Sequence, residues 1–187
     1  SNSLDISNAT VVRLADGGTY VLTLGQAKIA KTVSDNGSGN VTAAASVTVT
    51  LVDGDVLSGI VGVDSFTAPS AANLSGTSAL LAAAFSGITT HTGNLTISEG
   101  STATIAELKS INAATSGTIT LSTETIAANY SDTAVNLAAA FSGITTHTGT
   151  IAITGTNPTI TQLNNISGAT SGVVTATISG TATNLAT

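Results

Sequence analysis

Cysteine, methionine and tryptophan are absent from this chain of 187 residues, and proline occurs only twice. Without cysteine there are no disulfides, no thiolate nucleophile and no cysteine metal ligands, so burial and backbone hydrogen bonding must stabilise the fold. Charged residues make up 7 %, against about 25 % in typical soluble proteins, whereas 42 % of residues are hydrophobic. That balance excludes an acidic disordered tail. No apolar run approaches the roughly 18 to 20 residues of a membrane span, so we expect none.

The few charges are mostly negative, with four basic and ten acidic residues and a net charge of −6. The basic residues are Arg13, Lys28, Lys31 and Lys109. A polyanion would be repelled by this field and would find few phosphate ligands, so we expect no nucleic-acid partner. The chain starts without a basic stretch followed by an apolar one, so we expect a processed protein or a fragment rather than a precursor with a signal peptide.

An internal repeat dominates the second half of the chain. Residues 81–93 (LAAAFSGITTHTG) recur letter for letter at residues 137–149, and the similarity extends outward with one deletion. Identity over such a length indicates duplication. We therefore expect a repeat copy at 71–127, a second at 128–182 and the start of a truncated or partner-completed copy at 183–187.

Each copy contains two halves with the same pattern. Apolar residues spaced three or four apart, such as Ile105, Leu108 and Ile111, predict one face of a short helix. A glycine and a short alternation of apolar and threonine residues follow, as at Leu95 and Ile97, which predicts a half-buried strand. We expect N-caps within residues 131–133, before a helix at 134–141, and at 157–158, with Pro158 favouring a first turn.

Such helix–turn–strand units cannot bury their apolar faces alone. The sequence therefore predicts an α/β solenoid, in which the strands after Gly93, Gly117, Gly149 and Gly172 form one continuous parallel sheet covered by helices. A mostly-β solenoid is the alternative. Residues 1–70 predict a β-rich cap or degenerate repeats, with strands at 19–24 and 46–52, a short helix at 26–33 and a loop at 35–40.

The repeats resemble the alanine- and threonine-rich repeats of very large bacterial surface proteins and adhesins, especially those of cyanobacteria. The likeness covers residues 72–187 and is carried by the helix start SDTAVNL at 131–137 and the strand GTITLS at 117–122. It implies an extracellular or cell-surface location and a multi-copy structural role, and it supplies no catalytic residues.

His91 and His147 are the only histidines and occupy the same position of the two copies. A shared metal site is excluded by the expected geometry, because strands about 4.8 Å apart with two coils per copy would separate the rings by about 10 Å. We expect structural turn residues, with a weak surface ligand as the alternative.

Oxygen ligands in glycine-containing turns suggest calcium as a candidate cofactor. Asp53, Asp55 and Asp35 are the candidate ligands, although neither segment matches an EF-hand or the nonapeptide repeat of calcium-binding β-helices. The alternative is ordinary turn chemistry, since Asp and Gly are common turn residues. For Asp64 and Glu99 we expect solvated turn positions.

The sequence shows no nucleophile–base pattern and no paired carboxylates, so we expect no enzyme. We expect a repeat subunit or module of an extracellular filament, surface layer or adhesin, which polymerises head to tail because open sheet ends invite association. The alternatives are a carbohydrate- or surface-binding module and a virion decoration or fibre protein. Sugar sites usually offer an aromatic platform, for which Tyr20, Tyr130 and Phe66 are the candidates, whereas Phe85 and Phe141 have core spacing.

Overall fold

The protein is a mixed α/β structure in which helices and short parallel strands follow one another along the chain. The computed structural model describes residues 12–14, 18–32, 46–60 and 63–178. The helices are α1 (Leu24–Ile29), α2 (Ser78–Ala84), α3 (Ile105–Ala114), α4 (Thr123–Ala127), α5 (Ala134–Ala140) and α6 (Ile160–Ala169). The strands are β1 (Val12–Leu14), β2 (Thr19–Thr23), β3 (Ala30–Thr32), β4 (Ser46–Thr50), β5 (Val56–Leu57), β6 (Ser65–Thr67), β7 (Leu74–Gly76), β8 (Leu95–Ile97), β9 (Ile119–Thr120), β10 (Tyr130–Thr133), β11 (Ile151–Thr156) and β12 (Val174–Thr177).

Every strand pair among the described residues is parallel. The sheets have the orders β1-β3, β2-β4-β6, β5-β7-β8-β9 and β10-β11-β12. Parallel neighbours need a crossover between them, and from β7 to β9 and from β10 to β12 each crossover contains a short helix. The helix–glycine–strand order predicted for each half-copy is confirmed, because α2, α3, α5 and α6 are each followed by a glycine and then by β8, β9, β11 and β12.

The four long helices form a row in the order α2, α3, α5, α6. Their inward residues are buried, and Leu81, Ile111, Leu137 and Ile166 are 0 % exposed. On the strand side, Leu95 and Ile151 are also 0 % exposed. One apolar core therefore lies between the helices and the strands, and each unit covers the core residues of the unit before it.

The expectation of one continuous sheet through both copies is wrong. β8 pairs with β9 and β11 pairs with β12, but β9 and β10 belong to different sheets. β9 has only two residues, because Ser122 then caps α4 by accepting a hydrogen bond from the Thr125 backbone N–H. The helix packing nevertheless continues across this break, since α3 packs directly against α5.

The two copies differ at their first strand, where copy 1 has a glycine and copy 2 an aspartate. A Cβ at Gly76 in β7 would lie 2.6 Å from the carbonyl oxygen of Leu57, so only glycine allows β5 to approach so closely. The equivalent residue in β10 is Asp132, whose Oδ1 accepts from the Thr133 backbone N–H at 2.6 Å and from the Asn136 side-chain amide at 2.9 Å. Among the described strands, β10 pairs with β11 alone.

Several predicted boundaries also need correction. α6 is capped by Thr159 rather than by residues 157–158, and Pro158 precedes the cap instead of lying in the first turn. Asn157 adopts a left-handed backbone, with φ of 59°. The helix predicted at 26–33 spans Leu24–Ile29 and gives way to a strand, β3. By contrast, the cap of α5 within residues 131–133 is confirmed at Thr133.

Some predictions fall outside the described residues, namely the loop at 35–40 and the partial third copy at 183–187. Among the residues that the structure describes, no helix has the length and apolar character needed to cross a lipid bilayer.

Candidate functional site

The two histidines lie in equivalent surroundings. The backbone N–H of His91 donates to the carbonyl of Ala114 at 3.1 Å, and that of His147 donates to Ala169 at the same distance. Each histidine forms an isolated parallel bridge with a threonine of the next unit, Thr115 or Thr170. The two sequence copies therefore have the same local structure around their histidines, as predicted.

Both imidazoles are buried rather than exposed at a turn surface. His91 is 3 % exposed and His147 is 1 % exposed. The ring centroid of His91 lies 4.6 Å from that of Phe85, and the ring of His147 lies 5.0 Å from Phe141 and 5.4 Å from Tyr130. The weak surface ligand considered as an alternative is therefore excluded, because neither ring reaches the surface.

Burial also sets the protonation of these rings. Removal from water lowers the pKa of both imidazoles below the usual value of about 6.5. Within the described part of the chain, Nε2 of each histidine is buried without a hydrogen-bond partner, and burial outweighs the opposing effect on the pKa of a backbone hydrogen bond at Ala72 or Thr125. Both histidines are therefore neutral core residues at pH 7.

A ladder of glycines runs beside the histidines. A Cβ at Gly117 would overlap the carbonyl oxygen of Gly93, and a Cβ at Gly172 would overlap that of Gly149. Glycine is needed here because successive backbone segments approach more closely than any side chain allows. This close approach explains the recurrence of glycine before each strand, and it fixes the spacing of the units.

Tyr130, which the sequence suggested as an aromatic platform for a sugar, is buried and therefore unavailable for that role. It is 9 % exposed, and its hydroxyl donates to the carbonyl of Ala103 at 2.7 Å. Burial raises its pKa to about 12. Tyr20 and Phe66 are half-buried, while Phe85 and Phe141 are core residues as predicted.

The carboxylates proposed for calcium act as acceptors for neighbouring backbone groups. Asp53 Oδ1 accepts from the backbone N–H of Asn73 at 2.6 Å and from its side-chain amide at 3.1 Å. Asp55 Oδ2 accepts from the backbone N–H of Val52 at 2.9 Å. Asp35 lies outside the described residues. Within the described residues no cluster of three or more His, Asp or Glu side chains could hold a metal ion.

Asp53 begins a chain of side chain to backbone hydrogen bonds that the sequence did not reveal. Asn73 Oδ1 accepts from the backbone N–H of Asn94 at 3.0 Å, and Asn94 Oδ1 accepts from Thr118 at 2.9 Å. Asn73, Asn94 and Thr118 line a shallow groove of about 500 Å³ over β7, β8 and β9. Ser75, Thr96 and Thr120 stand in register beside them. The face is thus a regular array of amides and hydroxyls.

Carboxylates in loops and in α3 accept hydrogen bonds from adjacent units in the same manner. Asp64 Oδ2 accepts from the backbone N–H of Val47 at 2.7 Å, and both carboxylate oxygens of Glu99 accept from Thr123. Glu107 joins the capping box of α3 to α2, because its Oε2 accepts from the Thr104 backbone N–H and from the Ser78 hydroxyl. These carboxylates accept hydrogen bonds from neighbouring units, so their role is to stabilise the packing of one unit on the next.

The outward side of the last described unit differs from its counterpart in copy 1. We call it the α6–β12 surface and define it by Ile160, Leu163, Asn164, Ser167, Val174 and Ala176. Leu108 in α3 is 1 % exposed, whereas the aligned Leu163 in α6 is only half-buried. Leu121 is 4 % exposed, whereas the aligned Ala176 is exposed. Ile160 is 60 % exposed.

The difference arises from what packs on each helix. α3 is covered by α5, to which Lys109 and Asn112 donate side-chain hydrogen bonds. Among the described elements, no second helix packs on α6 in the way that α5 packs on α3. Asn164 and Ser167, which align with Lys109 and Asn112, are exposed. The α6–β12 surface is therefore a partly apolar face without the cover that its counterpart has.

Comparison with known proteins gives no relative from which a role could be transferred. No protein-family model, no curated protein and no solved structure matches the chain significantly. The resemblance to bacterial surface repeats accordingly stays a prediction from the sequence.

Proposed function

We propose that this chain is a non-enzymatic structural protein, a repeat module of an extracellular filament, surface layer or adhesin. In this proposal the helix–turn–strand units form an α/β solenoid with a more β-rich N-terminal part. The solenoid assembles head to tail through its ends. The extracellular location rests on the resemblance of residues 72–187 to repeats of bacterial surface proteins.

The observation that carries the proposal is the way in which one unit covers the next. Leu108 is buried because α5 lies over α3, and Leu163 is half-buried at the equivalent place of the last unit. A unit of this kind gains stability from a successor, since fully burying a leucine side chain contributes roughly 1.5 to 3 kcal/mol. Repeat architectures end in polar capping units for this reason. An apolar end favours further assembly.

Sedimentation velocity over a wide concentration range, combined with electron micrographs, tests the proposal. We expect species far larger than the 18.1 kDa chain, and filaments whose axial repeat is a multiple of the strand spacing of about 4.8 Å. A strictly monomeric species at every concentration would contradict assembly as the function.

A second candidate, carbohydrate binding, is favoured by the polar groove over β7, β8 and β9. Amides and hydroxyls in register can donate to and accept from the hydroxyls of an extended saccharide. We would compare wild-type protein with Thr96→Ala, in the groove, and with Thr146→Ala, exposed elsewhere, on a glycan array. Loss of binding in Thr96→Ala alone would support this function, and the absence of any glycan binding would count against it.

A further inference from the structure

We infer that the two histidines are acid-labile clamps between successive units, which hold while the imidazole is neutral and open when it is protonated. We call them the His91 clamp and the His147 clamp. The inference goes beyond the proposed function and does not depend on it, because each clamp joins two units inside a single chain. It rests on the backbone bonds of each histidine and on the surroundings of its ring.

Each histidine joins its own unit to the next through two backbone hydrogen bonds. The N–H of His91 donates to the carbonyl of Ala114 at 3.1 Å, and the carbonyl of His91 accepts from the N–H of Ser116 at 3.0 Å. The corresponding two bonds of His147 have the same lengths. Because Ala114 is the last residue of α3, the His91 clamp fixes the end of this helix to the segment that follows α2. The His147 clamp does the same for α6 and α5.

The imidazole rings lie in apolar pockets that do not suit a charge. Both rings are buried, and Nε2 of each has no hydrogen-bond partner among the described residues. Phe85 packs on His91 with 4.6 Å between ring centroids, and Phe141 packs on His147 at 5.0 Å. Protonation would place a charge and an N–H without an acceptor in this pocket, and both are costly. The charged ring is therefore stable only where water reaches it, which requires the clamp to open.

No carboxylate in the described part of the chain compensates such a charge. Burial lowers the pKa of both imidazoles, and the opposing effect comes from a backbone group rather than from a charged side chain. Tyr130 faces His147 with 5.4 Å between ring centroids, and burial raises its pKa to about 12, so it stays neutral while the histidine titrates. The charged residues on the surrounding helices, strands and turns face other partners or solvent, and they are Glu99, Glu107, Lys109, Glu124 and Asp132.

The sign of the response follows from these surroundings. An open clamp exposes an ordinary imidazole, whose pKa is about 6.5. Because the closed clamp binds the proton more weakly, acid shifts the equilibrium toward the open clamp, by up to about tenfold per pH unit below 6.5. Opening one clamp costs only the two backbone bonds of its histidine. The strand ladder between the same units has bonds of its own, from Leu95 to Thr118 and from Ile151 to Val173, so the event is local.

Hydrogen exchange of individual backbone amides in the full chain tests the two clamps. The reporting amides are those of Ser116 and Ser171, which donate to the carbonyls of the two histidines. They are measured where the chain does not associate and are corrected for the intrinsic exchange rate at each pH. We expect both protection factors to fall about tenfold from pH 7 to pH 5, while the ladder amides of Leu95 and Ile151 stay better protected. Protection of Ser116 and Ser171 that changes less than about twofold would overturn the inference.

Single substitutions show whether each clamp responds to its own histidine. His91→Phe introduces an aromatic ring that cannot be protonated, and His147→Phe is the matched variant in copy 2. In His91→Phe we expect Ser116 to lose its pH dependence while Ser171 keeps it, and the reverse in His147→Phe. Global unfolding would instead reduce the pH dependence of both amides equally in either variant, and that result would overturn the inference.

A further measurement on the wild-type chain guards against a packing defect in the variants. A local opening exposes little surface, so at pH 5 the exchange of Ser116 and Ser171 should be nearly independent of urea below the unfolding transition. A steep dependence on urea would identify global unfolding and overturn the inference. None of these measurements requires assembly. A strictly monomeric wild-type protein would therefore contradict the proposed function and leave the clamps intact.

Discussion

Replacing Gly149 by alanine tests the spacing of the units directly. Gly149 precedes β11 in the ladder of glycines, and its backbone approaches the segment that precedes β10. A Cβ at this position would overlap the carbonyl oxygen of Ala128 and would lie 2.9 Å from that of Ala127. Because both neighbours are backbone atoms, no side-chain rotation can relieve the contact.

The expected loss of stability is about 3 to 5 kcal/mol. Overpacking alone typically costs about 1 to 3 kcal/mol when side chains can adjust. Here the backbone must separate, which weakens the hydrogen bonds of the Thr148 and Gly149 N–H groups to the carbonyl of Ile126 at 2.8 and 3.2 Å. Each such bond contributes about 0.5 to 1.5 kcal/mol. The loss is a large part of the 5 to 15 kcal/mol typical of a domain.

Gly168→Ala is the matched control. Gly168 lies inside α6, and nothing is within 4 Å of a Cβ built there. Alanine is favoured over glycine in a helix by about 1 kcal/mol, so this variant should be slightly more stable than wild type. Urea unfolding followed by circular dichroism measures both free energies, at a concentration where the variants do not associate. A Gly149→Ala protein within 1 kcal/mol of wild type, with an unchanged m value, would refute the close approach.

Three further predictions concern buried polar groups. Because burial lowers the pKa of His91 and His147, the unfolded chain takes up their protons at higher pH than the folded chain does. The free energy of unfolding should therefore be constant above about pH 7 and should fall below pH 6.5, by up to about 1.4 kcal/mol per pH unit for each histidine. A doubly substituted protein with phenylalanine at both positions should lose this dependence, and an unchanged pH profile would disprove the assignment. Tyr130→Phe should cost about 1 kcal/mol in urea unfolding and remove the phenolate absorbance step near pH 12, whereas an alkaline titration identical to wild type would contradict its burial. Thr104→Ala should cost about 1 kcal/mol through loss of the α3 capping box, and Thr102→Ala, exposed outside the helix, should be neutral in the same assay.

The helices of the repeats and the cap of α5 could be predicted because their signals are local, whereas the cap of α6 was placed too early, at residues 157–158 instead of Thr159. Apolar residues three apart placed α3 correctly, and Thr133 caps α5 within the predicted segment. The duplication also predicted equivalent surroundings for the two histidines. Their burial was not predicted, because a histidine beside threonines and a glycine is typical of a turn. The aromatic contacts that bury His147 involve Tyr130, which is distant in the chain.

The strands were harder to predict because their partners are distant. β7 ends in a glycine and β9 has only two residues, so neither shows a full alternation. Whether β9 continues into the next sheet depends on contacts between the two copies. The hydrogen-bonded series from Asp53 to Thr118 was also missed, because asparagines one unit apart show no periodicity within a single element. Asn73 and Asn94 each stand directly before a strand, β7 or β8. This repeated position could have indicated the hydrogen-bonded series.

The substitutions between the two copies differ at the contact between copy 1 and copy 2 and at the α6–β12 surface. Copy 2 follows copy 1 through α4, and substitutions adapt this contact. Tyr130 replaces Leu74 and reaches back to Ala103, and Asp132 replaces Gly76. A joint inside the molecule has therefore been adapted by specific side chains, whereas the α6–β12 surface keeps the apolar pattern of α3 and has lost its charges. Gln162 and Asn164 stand where α3 has Glu107 and Lys109, so α6 can be covered without the desolvation of a charge.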